Sequence, residues 1–249
     1  MRAYAIGDIH GHLGKLELAH ALIAEDRARC GDTEAPIVHV GDLVDRGPDS
    51  RGVIQYLLDG QVRGENWVVL KGNHDRMAAL FLRDYPMADD QLLLDSSWFH
   101  PAVGGIETLE SYGIDFPEFA RTYQIHAKAM EAVPPVHRRY LDDLPAMYRM
   151  GDLCFVHAGI RPGVPLEEQT EDDLLWIRKE FHIDPTDHGP LIVHGHTPVD
   201  EVTHYGNRLN LDTGAAYGDA LSAVVIEGRE AWLLTHEGRK LVKRDYSAA

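Results

Sequence analysis

The 249-residue chain predicts an α/β fold: a parallel-rich first sheet, then a second, mixed or antiparallel sheet, both flanked by helices. Three observations carry this. Apolar runs of strand length alternate with stretches of helical period over the first 83 residues. Three of those runs end in polar motifs, GDIHG at 7–11, GDLVDRG at 41–47 and GNHD at 72–75. That is where a parallel α/β sheet presents its site, beyond the carboxyl ends of the strands. The second half returns to short, turn-linked apolar runs.

Taken in order, residues 3–8 (AYAIGD) read as a buried strand, and 13–29 as a helix with Leu13, Leu16, Ala19, His20 and Ile23 on one face. IVHVGD at 37–42 is a second strand. A helix over 49–59 begins at Asp49 or Ser50 and turns Ile54, Leu57 and Leu58 inward. WVVLKGN at 67–73 is the third strand, and a helix covers 75–83. Residues 84–140 mix Pro86, Pro101, Pro117, Pro134 and Pro135 with aromatic and acidic residues; they read as a mostly helical insertion packed over the site. Strands follow at 152–157, 191–194, 208–212, 220–227 and 230–235, expected to form a mainly antiparallel second sheet. Glu227-Gly228 marks a hairpin between the last two, and 241–249 reads as a frayed end. The length suits one domain over 1–249.

The formal net charge of −16 argues against nucleic acid and anionic membranes as partners, since both need a basic face. A phosphate site in such a chain must be locally positive. Cys30 and Cys154 are too few for a disulfide framework, and Cys154 in LCFVH reads as a small buried hydrophobe. The N-terminus enters a strand at once, and no apolar run approaches the ~20 residues of a membrane span, so a cytoplasmic protein is expected. The oligomeric state is not legible.

Asp8 and His10 lie two apart in an extended segment and project to the same side. Asp42 follows Asp8 by 34 residues and Asn73 follows Asp42 by 31, one strand-helix step each. Adjacent strand ends therefore collect Asp8, Asp42 and Asn73, with Asp42 central and the natural bridging carboxylate. His157 in FVHAG and His196 in VHGHT arrive from the second half to complete a set for two divalent ions. Asp, Asn and His without Cys suit Mn²⁺ foremost, with Fe or Zn²⁺ also fitting. Two such ions against two carboxylates and a hydroxide leave roughly +1, and Arg46 with a second arginine about +3, enough to receive a phosphoryl dianion.

The blocks GDIHG, GDLVDRG, GNHD, HAG and HGHT stand in the order and spacing of the phosphoprotein phosphatases, within the calcineurin-like metallophosphoesterases. The chain resembles that family over 7–214. The resemblance implies a four-layer α/β/β/α sandwich. It implies that Asp8, His10 and Asp42 hold one metal, and Asp42, Asn73, His157 and His196 the other. A hydroxide bridging the two would attack phosphorus. His74 would be the general acid, Asp45 the carboxylate orienting it, and Arg46 and Arg178 (in LLWIRKE) the phosphate clamps. The implied activity is phosphate-monoester hydrolysis of the bacterial serine/threonine protein phosphatase type, on a phosphorylated protein or a small phosphoester.

Alternatives stay open. Asp45 in GDLVDRG resembles the protein-phosphatase branch, whereas GNHD and the tail RGPDS resemble the symmetrical dinucleoside (diadenosine) tetraphosphatases. That activity, or another phosphodiesterase reaction, is the competing enzyme reading. Tyr85, Trp98, Phe99, Tyr112 and Phe116 in the insertion could stack an adenine or fill its core. A catalytically inactive metal-binding module is the alternative of another class, against which Asp42, Asp45, Arg46 and His74 all stand. Arg178, among Glu171, Asp172, Asp173, Lys179 and Glu180, also fits a solvated helix face. His39 and His194 fit support of a ligand or the core, His12 a rim or helix start, and Asp75 a helix N-cap. Asp212 could hold a metal-bound histidine or shape the turn with Gly214.

Overall fold

The computed structural model describes residues 1–92, 97–115, 117 and 120–245. Its first half follows the expected alternation: β1 (Arg2–Ile6), α1 (Leu13–Cys30), β2 (Ile37–His39), α2 (Ser50–Val62), β3 (Trp67–Val69) and α3 (Asn73–Phe81). The three strands run parallel, with Tyr4 opposite Ile37 and Ile37 opposite Trp67. The insertion carries three helices, α4 (Gly105–Ser111), α5 (Thr122–Ala132) and α6 (Pro135–Asp143), joined by irregular segments. Residues 93–96, 116 and 118–119 of it, Phe116 included, lie outside the described residues. Then come β4 (Met147–Met150), β5 (Leu153–Val156), α7 (Glu171–Trp176), α8 (Lys179–His182), β6 (Leu191–His194), β7 (Thr203–His204) and β8 (Arg208–Asn210). The described elements close with β9 (Ala223–Glu227), β10 (Glu230–Thr235) and β11 (Gly238–Leu241).

Sheet membership differs from the expectation in one respect. The strands over 220–227 and 230–235 do not join the second sheet; β9 and β10 return to the first, whose order is β11-β10-β9-β1-β2-β3. It is parallel only across β1, β2 and β3, while β9 lies antiparallel to β1, with Ala5 opposite Val224. The run AVVIE is buried on both faces, which suits a slot between two strands and two layers. The second sheet, β4-β5-β6-β8-β7, is mixed rather than mainly antiparallel: parallel through β5, β6 and β8, with antiparallel β4 and β7 at its edges. The expected frayed end is also corrected in part. Gly238–Leu241 forms an edge strand, Val242 is buried, and the Asp245 amide donates to the His204 carbonyl at 2.7 Å. Residues 246–249 lie outside the described set.

Side-chain alternation builds four layers. Ala3, Ala5, Val38, Val224 and Ile226 of the first sheet meet Leu153, Phe155, Val193 and Leu209 of the second. On the other face Tyr4, Ile6, Ile37 and Val225 pack under Leu16, Ile23, Ile54 and Leu57 of α1 and α2. The far side of the second sheet, Cys154, Val156 and Ile192, is covered by Leu174, Ile177 and Phe181. Burial on both faces explains why these strands read as unbroken apolar runs. No helix among the described residues is long and apolar enough to cross a membrane.

Candidate metal centre

The loops after β1 and β2 are laced together. The amides of Ile9 and His10 both donate to the Asp42 carbonyl, at 3.0 and 2.8 Å, and Gly11 donates to Leu43 at 2.8 Å. From the second half, the His196 amide reaches Asp8 Oδ2 at 2.9 Å. The His74 amide, at the start of α3, donates to Asp42 Oδ1 at 3.0 Å. Among the described residues, five that are not glycine have positive φ: His10 (44°), Asp42 (49°), Asp45 (73°), Arg46 (67°) and His196 (67°). All five are candidate site residues. Side chains rarely tolerate this region, and a buried, over-determined surround is what holds them there.

These loops bring Asp8, His10, Asp42, Asn73, His157 and His196 into one buried cluster. His10 Nε2 lies 3.4 Å from one Asp42 oxygen, and His157 Nε2 lies 3.3 Å from the other. Asn73 Oδ1 is 2.9 Å from His157 Nε2 and 3.0 Å from His196 Nδ1. Asp42 thus faces two groups at once, His10 and His74 on one side and His157 and His196 on the other, each with ligand atoms within 4.8 Å of one another. His10 and His157 give their Nδ1–H to the carbonyls of Val44 and Val40, both at 3.0 Å, so the Nε2 facing Asp42 carries a lone pair in each.

Chemistry then supplies a fit test. His157 Nε2, Asn73 Oδ1 and Asp42 Oδ1 are all lone-pair atoms, crowded together with little hydrogen to share between them. Asp8 Oδ1 is buried without a hydrogen-bond partner. Burial drives His10 and His196 well below the ordinary imidazole value and lowers His157, so the rings stay neutral ligands. Asp42 is held below the ordinary carboxyl value, although burial alone would raise it. Asp8 is raised, first by burial and then by the charges of Asp212 and Asp42. Crowded acceptors and carboxylates of this kind are what divalent cations satisfy.

Beside this cluster His74 gives its Nδ1–H to Asp45 Oδ2 at 2.7 Å, leaving Nε2 directed away from Asp45. Arg46 Nη1 donates to His10 Nε2 at 2.9 Å, and Arg178 Nε to His196 Nε2 at 3.0 Å. Arg178 is exposed and sits between α7 and α8, so the structure brings it to the cluster rather than to a helix face. A cavity of about 490 Å³ beneath β8, lined by His182, Tyr205 and Arg208 among others, contains none of the candidate residues. Charge, not cavity size, marks the site.

Other candidates resolve individually. Asp75 is not the N-cap of α3, a place held by Gly72; it is the third helical residue, accepting the amides of Gly72 (2.8 Å) and Leu43 (2.9 Å). Asp212 accepts the Gly214 amide at 3.0 Å, and so shapes the turn. His12 stands at the start of α1. His39 pairs with His20 at 3.0 Å on the helical side of the sheet, and His194 packs on Phe181, so both belong to the core. Trp98 and Tyr112 are buried, Phe99 is half-buried, and Tyr85 is exposed. Sequence reasoning missed two further partners of the Asp45 carboxylate, Trp98 and Thr108. Neither carries a motif, and the insertion's spacing does not fix where they point.

The family description "calcineurin-like phosphoesterase" matches residues 1–228. Serine/threonine-protein phosphatase 1 of Salmonella typhimurium is 28% identical over 233 residues, 90% of this chain and 91% of that protein. The asymmetrical bis(5'-nucleosyl)-tetraphosphatase PrpE of Anoxybacillus flavithermus is 27% identical, covering 88% of each chain. The crystal structure of a putative diadenosine tetraphosphatase superposes with a TM-score of 0.61 at 22% identity, over 94% of this chain and 92% of that one. That likeness shows the shared fold.

Proposed function

The chain belongs to the calcineurin-like phosphoesterase family and is a metal-dependent phosphatase, and on that premise we propose that it hydrolyses phosphate monoesters with alkoxide leaving groups, as in a phosphoserine or phosphothreonine protein. The observation that carries the reading is the buried His74–Asp45 pair, 2.7 Å apart, beside the Asp42 cluster. Asp8, His10 and Asp42 would hold one divalent ion and Asp42, Asn73, His157 and His196 the other, with Mn²⁺ the first choice and Fe or Zn²⁺ accepted by the same donors. When bound, such a pair supplies Lewis acidity and a water of lowered pKa.

The chain's own residues do the rest. Arg46 and Arg178 converge on the cluster and would take the phosphoryl oxygens, a clamp whose charge matters in a net-acidic protein. Asp45 holds the Nδ1–H of His74, so the protonated ring offers its Nε2–H to the leaving oxygen as the P–O bond breaks, and Asp45 stabilises the imidazolium. A serine or threonine alkoxide is strongly basic and needs that proton.

A second reading is favoured by the PrpE relative, named for hydrolysis of bis(5'-nucleosyl) tetraphosphates. A nucleotide leaves as a weakly basic phosphate, which needs a proton donor far less, so a well-oriented acid argues for the monoester. The deciding experiment compares kcat/KM for a phosphoserine peptide, phenyl phosphate and diadenosine tetraphosphate with Mn²⁺ supplied. A preference for the phosphoserine peptide over the dinucleotide supports the proposal; a much higher value on the dinucleotide overturns it.

A further inference from the structure

Resting on the general-acid reading of His74, we propose that Trp98 and Thr108, both from the insertion, are positioning residues that fix Asp45 and through it the acid. Asp45 is fully buried, and among the described residues its carboxylate takes no arginine or lysine. Neutral hydrogen-bond donors supply the compensation instead. Trp98 Nε1–H is shared between the two oxygens at 2.9 and 3.0 Å, and the Thr108 hydroxyl donates to Oδ1 at 2.7 Å. Thr108 Oγ1 also accepts the amide of Asp45 itself at 2.8 Å, while that residue sits at a φ of 73°. One hydroxyl therefore pins both the backbone and the side chain of a residue in an unfavourable conformation.

Trp98 is itself fixed. It packs on Phe81 with ring centroids 5.0 Å apart, and its carbonyl accepts the Gly105 amide at 3.0 Å. A Cβ at Gly105 would collide with the indole, so the first residue of α4 is free to lie on the ring only as glycine. The insertion is then more than a cover over the site. It delivers the donors that hold the Asp45 side chain in place, so that His74 presents Nε2 in one orientation. Among the described residues Trp98 and Thr108 give their hydrogen bonds to Asp45 and to none of the candidate metal ligands, so their loss should spare those ligands.

The test uses aryl phosphates of graded leaving-group basicity, from dinitrophenyl to phenyl phosphate, with wild type, Trp98→Phe, Thr108→Val, His74→Asn and the Trp98→Phe/His74→Asn double variant. Losing a supporting hydrogen bond should lower kcat on phenyl phosphate by ~10–100-fold with KM unchanged. On dinitrophenyl phosphate, which leaves without help, the loss should stay within ~3-fold. In the His74→Asn background Trp98→Phe should cost nothing more, because the two act as one unit. Uniform losses across all leaving groups, or additive losses in the double variant, would overturn the proposal while leaving the acid in place. If His74→Asn shows no dependence on leaving group, the general-acid reading falls and the positioning role falls with it. Thr108→Val preserves volume and probes the same carboxylate should Trp98→Phe not fold.

Discussion

Asp212→Asn should stabilise the metal-free protein at alkaline pH and leave it nearly unchanged at acid pH. Asp212 is 5% exposed and accepts the Gly214 amide at 3.0 Å through an oxygen that asparagine retains. Burial pushes its carboxyl from 3.8 to about 6, the Gly214 amide partly offsets this, and the charge of Asp42 adds to it. The folded protein therefore holds this proton more tightly than the unfolded chain. Stability is full below the unfolded value of 3.8 and is lost as pH rises through about 6. At 1.36 kcal/mol per pH unit the loss amounts to about 3 kcal/mol at pH 8. Asparagine also removes the largest charge acting to raise Asp8. Urea unfolding of chelator-treated protein at pH 4 and pH 8 reads the effect. The variant should gain up to ~3 kcal/mol at pH 8 and almost none at pH 4, and saturating Mn²⁺ should shrink or reverse the gain. A variant less stable than wild type at pH 8, or one with the same difference at both pH values, would refute the electrostatic account of the cluster.

Asp42→Asn should lower metal affinity and kcat/KM together by more than ~10³, read by elemental analysis and aryl phosphate turnover, because one carboxylate faces both groups of ligands. His74→Ala should keep two metals per chain while kcat on phenyl phosphate falls ~10²–10⁴-fold; loss of a metal would make His74 a ligand instead. Asp26 is buried, which alone would raise it, but bonds from Arg239 (2.7 and 2.8 Å) and Tyr4 (2.9 Å) hold it below the ordinary carboxyl value. Asp26→Asn should therefore cost about 1–3 kcal/mol at pH 7, with the difference closing as pH falls below ~4 and the wild-type carboxyl protonates. Leu57→Ala, at a fully buried position between α2 and the first sheet, should cost about 2–5 kcal/mol in denaturant unfolding without changing metal stoichiometry.

What the sequence disclosed depended on how local the cause was. Asp8, Asp42 and Asn73 each follow an apolar run with a helix behind it, and parallel pairing of three successive strands leaves little choice about where those ends meet. The destination of AVVIE at 223–227 was not legible, because a run buried on both faces fits the centre of either sheet and only long-range pairing with β1 decides it. Arg178 had a local alternative that the interruption between α7 and α8 removes. Trp98 and Thr108 were least legible. Their chemistry is defined by what they touch, across 53 and 63 residues of chain, rather than by any pattern around them.

The same separation explains why the site sits where two energetic costs coincide. Five side-chain-bearing residues with positive φ and a crowd of buried carboxylates both oppose folding at this edge of the sheets. Ile9, Leu43 and Val44, fully buried in the site loops, offset part of these costs locally. The apolar layer between the sheets, where Ala5, Val38 and Val224 meet Phe155 and Val193, adds to that offset. That layer fixes the ends of β1, β2, β5 and β6 against one another, and with them the distance from Asp8 to His196 and from Asp42 to His157. A substitution within it, Phe155→Ala for example, should therefore weaken metal binding as well as stability even though it touches no ligand. Metal affinity unchanged in a folded Phe155→Ala protein would show instead that the loops hold their own geometry.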